Sequence, residues 1–317
     1  VNHRDRDYCF GQFLWSGWDY IGEPTPYFSK NSFFGQIDTA GFKKDTFYHY
    51  QAEWTDYKKV PMVHLLPYWD FNEGQLIDVC VYSNAPSVEL FLNDQSLGKQ
   101  VIDHKHGQNL KGTWQLPYQK GRLKAVAYDE MGQVIAIDEK VSFTDPVQIE
   151  AKVNKEQLLA NGEDLIFVEI STLDKEGIEV ANGRSRIDVK VTGAGRLVGL
   201  DNGDSTDYEA YKGTSRKLFS GKLLAIIAAK TEPGEIEVEM TSPGLKPVHM
   251  KLQAVKAFVE EGISAHMENQ VSSVQDEIPV RKIELQCMGP QILSPKVAEV
   301  RVVATVYPKN TTYPEIT

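Results

Sequence analysis

The sequence predicts a mainly β protein, with tandem immunoglobulin-like β-sandwiches following a short aromatic segment. Three observations predict it. Short runs with apolar residues at every second position recur from Val60 to Val255, the period of half-buried strands. Turn signals such as Asn93-Asp94, Asn161-Gly162 and Pro233-Gly234 fall between those runs. Only one stretch, Asp45 to Trp54, carries helical spacing.

Composition bounds the function classes. The 317 residues are enough for two or three domains with real cores. They are 41% hydrophobic and 25% charged, with a mean hydropathy of −0.36. The net charge of −10 and a pI near 5.3 argue against nucleic acid or an anionic membrane as partner, because either needs a basic face. No apolar run approaches the roughly 20 residues that cross a bilayer. Cys9, Cys80 and Cys287 are scattered and odd in number. That is neither a disulfide framework nor a zinc pattern, and each reads as a small buried apolar residue.

Residues 1–59 are the aromatic segment: 16 of the chain's 32 aromatic residues lie within residues 1–60. Gly11–Trp18 reads as a buried strand that opens onto a loop bearing two carboxylates, Asp19 and Glu23. Pro24 and Pro26 stop ladder pairing there. Asp45–Trp54 reads as a helix with Asp45 as N-cap and Phe47, Tyr50 and Trp54 on one face. A strand, a loop and a helix cannot cover their own aromatic faces, so something else must.

Residues 60–146 hold six predicted strands at Met62–Leu66, Leu76–Tyr82, Val88–Leu92, Thr113–Leu116, Leu123–Tyr128 and Val134–Asp138. Asn93-Asp94 marks a hairpin. Six short strands without a helix fit one immunoglobulin-like sandwich. Residues 147–257 repeat the pattern, with strands at Ile149–Val153, Leu165–Leu173, Ile187–Thr192, Leu197–Leu200, Leu223–Ala229, Ile236–Thr241 and Val248–Val255. Residues 258–279 are acidic and aperiodic and read as a linker. Residues 280–317 begin a further β-domain at Lys282–Gln286 and Val297–Tyr307, with too few strands for a sandwich of their own. The N-terminus has neither an initiator Met nor an apolar signal core. Both ends therefore read as cuts inside a longer protein.

Three stretches add a resemblance that periodicity does not carry. Phe13–Tyr27 (FLWSGWDYIGEPTPY), with Phe34–Asp45 after it, resembles the end of the catalytic barrel in family-2 glycoside hydrolases, in their β-galactosidase branch. Leu65–Trp69 and Val88–Gly98 resemble the immunoglobulin-like domain after that barrel, and Val198–Asp204 the next accessory sandwich. The resemblance implies that residues 1–59 are the last βα unit of a (β/α)8 barrel. It also implies a parent enzyme that hydrolyses terminal β-galactosides with retention and without an organic cofactor. The two catalytic glutamates of such enzymes would fall before Val1, so this chain alone is expected to be inactive.

Residue roles carry over in the same way. A tryptophan at the end of the last barrel strand resembles the apolar floor beneath a galactose ring, which assigns that role to Trp15. Trp18 fits barrel-core packing better. Lys30, Ser32 and Phe34 lie on the loop that borders the sugar in relatives. Asp19 and Glu23 are four residues apart on one loop, and a retaining pair needs carboxylates about 5 Å apart. With no barrel around them to exclude water or raise a pKa, they are expected to support the loop instead.

Two rival readings stay open. One is a non-catalytic binding or scaffolding module, which the absence of tryptophan from residues 147–317 disfavours. The other changes the sugar to a β-glucuronide or β-mannoside. No Asn-x-Lys pattern stands around Lys30–Phe34, where glucuronidases resemble one another in gripping a carboxylate. His104-Lys105-His106 reads as a solvated turn rather than a metal site. Asp201-Asn202-Gly203-Asp204 has calcium-like letters without the distal Glu and reads as a turn. Asn310-Thr311-Thr312 is a formal glycosylation sequon. The expected partner is a β-galactoside carbohydrate, with no metal, nucleic acid or membrane and with a homo-oligomer left open. A periplasmic or secreted bacterial location is favoured over the cytoplasm.

Overall fold

The structure is a computed structural model that describes residues 6–11, 13–105, 107, 109–262, 277–289 and 299–315. The chain divides into two compact units, Val1–Phe143 and Thr144–Thr317. Eighteen strands and one helix form among the described residues. The mainly β class follows from the sequence pattern.

In the first unit, β1 (Val63–Leu66), β2 (Leu76–Ser83) and β5 (Gly112–Pro117) make a three-stranded sheet in the order β1-β2-β5. The facing sheet has the order β4-β3-β6-β7, from β3 (Ser87–Leu92), β4 (Gln95–Val101), β6 (Arg122–Tyr128) and β7 (Val134–Val141). All these pairings are antiparallel. Each of the six predicted strands forms, and β4 is added. Asn93 and Asp94 take φ of 50° and 64° between Leu92 and Gln95. Two left-handed residues make the turn whose twist suits a tight hairpin, so the Asn-Asp signal did its local work. The core joins both sheets through Leu65, Val79, Val81, Val88, Leu90 and Leu123. Trp69 is fully buried beside them, its indole N–H donating to the Gln119 carbonyl at 3.0 Å.

Helix α1 spans Asp45–Trp54, as the spacing predicts. Its cap and face differ from expectation. Lys44 occupies the N-cap, and its side chain makes no capping bond to the helix. Asp45 turns to the sandwich instead, 2.8 Å from His64 Nε2. Trp54 is 70% exposed, while Ala52 is buried. Tyr48 stacks on His64 with centroids 3.8 Å apart, and His49 meets Tyr82 at 5.2 Å. The polar-tipped aromatics pack because β1 and β2 offer them ring partners, which helical spacing alone does not reveal. Beyond the helix, Asn84 fastens the chain: its amide donates to Thr55 Oγ1 and the Val60 carbonyl, each at 2.8 Å, and accepts from Met62 N–H at 3.0 Å.

The second unit is a two-sheet sandwich. One sheet runs β12-β14-β10-β8, from β8 (Gln148–Val153), β10 (Leu165–Leu173), β12 (Gly195–Asp201) and β14 (Leu223–Ala229). The other runs β13-β11-β15-β16-β9, from β9 (Gln157–Ala160), β11 (Arg186–Gly193), β13 (Ser215–Lys217), β15 (Gly234–Thr241) and β16 (Val248–Lys256). All its pairings are antiparallel except β9 beside β16. The core is aliphatic, with Ile166, Val168, Ile170, Ile187, Leu223, Ile227 and Ile236 at its centre. The seven predicted strands all form here too, with β9 and β13 added.

The remaining described residues of this unit hold a two-stranded antiparallel hairpin of β17 (Lys282–Met288) and β18 (Arg301–Tyr307). The greater part of the proposed linker, residues 263–276, lies outside the described residues. The cysteines are free, but not all buried: Cys9 and Cys80 are half-buried and Cys287 is exposed on β17. A short two-stranded sheet has no second layer to cover its faces. Among the described residues no helix is long and apolar enough to cross a membrane.

Candidate functional site

The predicted strand at Gly11–Trp18 does not form. A strand exists through its ladder partners, and among the described residues this stretch has one isolated bridge, Trp18 to Ile37. What forms instead is a folded-back loop. Gln36 and Ile37 N–H both donate to the Gly17 carbonyl, at 3.0 and 3.1 Å. Asp19 N–H returns a bond to the Ile37 carbonyl at 2.8 Å, and Lys44 N–H reaches Gln36 at 3.0 Å. Gln12 and His106 lie outside the described residues.

Asp19 is the centre of that loop and only 5% exposed. Its Oδ1 accepts from Gly35 N–H and from the Lys44 ammonium, each at 2.8 Å, and Lys44 lies 2.7 Å from Oδ2. Lys44 also donates to the Phe33 carbonyl at 2.8 Å. One buried ion pair thus ties residues 19, 33, 35 and 44 together. Gly35 is required there: a Cβ would collide with the Asp19 backbone nitrogen and carboxylate. A carboxylate so enclosed can brace a loop, and it is in no position to attack a sugar.

The second constellation lies on the outer side of the loop. The Trp15 indole N–H donates to Tyr20 Oη at 3.2 Å, with the rings perpendicular and 6.2 Å apart. Tyr20 Oη–H in turn donates to the Glu23 carboxylate. Phe34 meets the Tyr20 ring edge-on at 5.9 Å. The acceptor Glu23, then partial burial, hold the Tyr20 phenol above its ordinary pKa, against a smaller downward pull from the Trp15 N–H. The proton therefore stays on Tyr20 through neutral pH.

Trp15 is 73% exposed. Trp18 is 57% exposed. Ser32 is fully buried and bonds the Tyr20 backbone in both directions, at 2.9 and 3.1 Å. Lys30 is half-buried. The structure thus gathers Trp15, Glu23 and Phe34 around Tyr20, sets Asp19 behind them, and gives Ser32 a backbone task. Tyr20 and Lys44 are the two members that sequence reading missed. Loop residues have no periodicity to mark them, and Lys30 and Lys43 both stand nearer to Asp19 in the sequence than Lys44 does.

The constellations set aside also have positions. His104 is half-buried, with Nδ1 2.8 Å from Glu53 on α1, so it is a packing contact and not a freely solvated turn. Asp201 Oδ1 accepts from Gly203 N–H at 2.9 Å and Asp204 Oδ1 from Thr206 N–H at 2.8 Å, the bonds of a self-capped turn. Among the described residues no group of three His, Cys, Asp or Glu side chains is disposed to hold a metal.

Comparison with known proteins completes the picture. Residues 149–251 match the model of glycoside hydrolase family 2 C-terminal domain 5, and residues 74–136 match a domain of unknown function, DUF4982. The chain is 39% identical over 254 residues to β-galactosidase BoGH2A of Bacteroides ovatus, covering 79% of this chain and 29% of that protein. It is 34% identical over 246 residues to a Formosa agariphila protein provisionally named a β-glucuronidase, covering 74% of this chain and 23% of that one. Among solved structures, a β-glycosidase from Bacteroides vulgatus aligns with a TM-score of 0.71 and 32% identity, over 77% of this chain and 31% of its own. The chain therefore spans less than a third of the length of these relatives.

Proposed function

The chain belongs to the C-terminal part of the family-2 glycoside hydrolases, and from that premise we propose that it serves a retaining β-galactosidase. In this reading the catalytic acid/base and nucleophile come from outside these 317 residues, and the chain supplies one aromatic wall of the sugar site together with β-sandwiches. Residues 1–59 then contribute the last βα unit of the catalytic barrel.

The observation that carries the reading is the exposed Trp15 face, fixed by hydrogen bonds and not by burial. Aromatic faces bind the apolar C–H side of a pyranose, and an indole that stays exposed yet ordered is suited to that task. Similarity to a named β-galactosidase supports the galactoside. Similarity to a glucuronidase-named protein keeps a β-glucuronide as the competing substrate.

The test is a set of 4-nitrophenyl β-galactoside, β-glucuronide and β-mannoside assays on the full-length protein and on this chain. The galactoside should be turned over with kcat/KM at least about a hundredfold above the others. This chain alone should show no turnover. Preference for the glucuronide would reverse the substrate assignment. Turnover by the chain that Glu23→Gln abolishes would overturn the whole reading.

A further inference from the structure

An exposed ring needs something other than packing to fix its orientation. Trp15 is 73% exposed, so its neighbours cover little of it. Its indole N–H donates to Tyr20 Oη at 3.2 Å. Indole nitrogen can only donate and a carboxylate can only accept, whereas a phenol does both. Tyr20 stands between the two, accepting from Trp15 and donating to Glu23. Its own place is set three times over. Its ring edge meets Phe34 at 5.9 Å, its N–H donates to Ser32 Oγ at 2.9 Å, and its carbonyl accepts from Ser32 N–H at 3.1 Å. Ser32 is fully buried, so this end of the chain of bonds is anchored in the loop interior.

We propose that Tyr20 is a positioning residue that holds the Trp15 indole in one orientation, with Glu23 keeping the Tyr20 hydroxyl turned away from the indole. The order of bonds is directional, from Trp15 N–H to Tyr20 O–H to Glu23 carboxylate, and each group has a single arrangement that satisfies it. The Glu23 acceptor is the first cause that holds the Tyr20 phenol above its ordinary pKa, consistent with the Tyr20 O–H donating to it. The proposal rests on Trp15 as the sugar-facing wall only for its consequence in catalysis; the anchoring itself concerns this chain alone.

Two variants isolate the hydroxyl. Tyr20→Phe keeps the ring and its contact with Phe34 and removes both hydrogen bonds. Glu23→Gln keeps an acceptor for the Tyr20 O–H. The chain has five tryptophans, so a 15N-labelled sample gives five indole N–H signals, and Trp15→Phe identifies the one from Trp15.

In Tyr20→Phe the Trp15 signal should move to the position and fast water exchange of a free indole while the other four stay in place. In Glu23→Gln it should stay near its original position. An unmoved Trp15 signal in Tyr20→Phe would overturn the anchoring. The full-length protein, assayed on 4-nitrophenyl β-galactoside, supplies the second readout. Tyr20→Phe should raise KM about tenfold with kcat within about threefold. A shifted indole with unchanged KM supports the anchor and rejects Trp15 as a sugar wall. A raised KM with an unshifted indole rejects the anchor, because Tyr20 would then be acting on the substrate itself.

Discussion

The second sandwich and the aromatic loop are built on opposite plans. In the sandwich the core between the sheets is aliphatic, with Ile166, Val168, Ile170, Ile187 and Leu223 all at 0% exposure. In the loop the buried side chains are polar, namely Asp19, Ser29, Asn31, Ser32 and Asp38. The exposed ones are aromatic: Phe10, Phe13, Trp15, Trp18, Tyr27 and Phe28. The sandwich is held by apolar area removed from water, which is large and tolerant of small shifts. The loop is held by directed bonds around one ion pair, each worth about 0.5–1.5 kcal/mol and lost when one partner is removed. A region that spends its apolar surface on solvent and its polar groups on itself is organised for contact with something else.

That contrast has a direct test in two tryptophans of the first unit. Trp69→Ala removes a fully buried ring and strands the Gln119 carbonyl, and should cost about 3–5 kcal/mol. Trp15→Ala should cost less than about 0.5 kcal/mol, since the ring is mostly in water. Urea unfolding followed by circular dichroism compares them. Equal losses would erase the distinction between the two regions.

The next effect probes one of the polar exceptions within the sandwich, a buried ion pair. Arg216 is fully buried, with Nε 2.9 Å from Asp207 and one terminal nitrogen on the Leu200 carbonyl. Asp207→Ala leaves that guanidinium unpaired and should cost about 3 kcal/mol. Burial pushes the Asp207 carboxyl up, but the Glu209 N–H, the Arg216 charge and the Asn202 amide outweigh it and hold the pKa below the ordinary value. With the folded pKa below the unfolded one, the stabilisation is present above about pH 4 and fades as pH falls through the folded value. Acid titration of unfolding should therefore show a drop below about pH 4 that is shallower in Asp207→Ala. Asp174 adds to the same drop. Its carboxyl is likewise raised by burial but lowered further, by the N–H groups of Thr144, Ile178 and Glu176.

How much of this was legible follows from the same physics. Period-two alternation reveals a strand with one buried face, and β2, β3, β10 and β14 all have that pattern. β4 reads Gln-Ser-Leu-Gly-Lys-Gln-Val, mostly exposed, and β13 is three residues at a sheet edge. Neither has an apolar face, so only their partners define them. The strand at Gly11–Trp18 failed for the converse reason, since apolar content suggested burial where no ladder partner supplies it. At the site, Trp15, Asp19, Glu23 and Phe34 could be named from the loop motif. Tyr20 and Lys44 could not, because their importance lies in which carboxylate they meet after folding.

A smaller effect sharpens the loop side of the comparison. Gly35→Ala sets a Cβ against the Asp19 backbone and carboxylate. Neither can move without breaking the Lys44 pair, so the loop should lose about 1–3 kcal/mol locally. Both sandwich cores lie elsewhere and their unfolding midpoints should not shift. Hydrogen exchange separates the two outcomes: the amides of Asp19, Gly35 and Ile37, all bonded within the loop, should exchange faster while those of β10 and β14 keep their protection. Faster exchange in both regions alike would mean that the loop and sandwiches open as one.

The smallest expected effect is the most telling about the exposed aromatics. Phe13 is 95% exposed and Tyr27 99% exposed, so Phe13→Ser and Tyr27→Ser remove almost no buried area. Each should change the unfolding free energy by no more than about 0.5 kcal/mol. If these rings were held in the interior of this chain, either change would cost several times that figure. Exposed apolar rings still cost solubility, because water gains by covering them through any available contact. The double variant should therefore sediment with less self-association at high concentration while its stability stays the same. A loss of stability with unchanged association would place the rings inside the fold, and the inverted plan of the loop would fall with it.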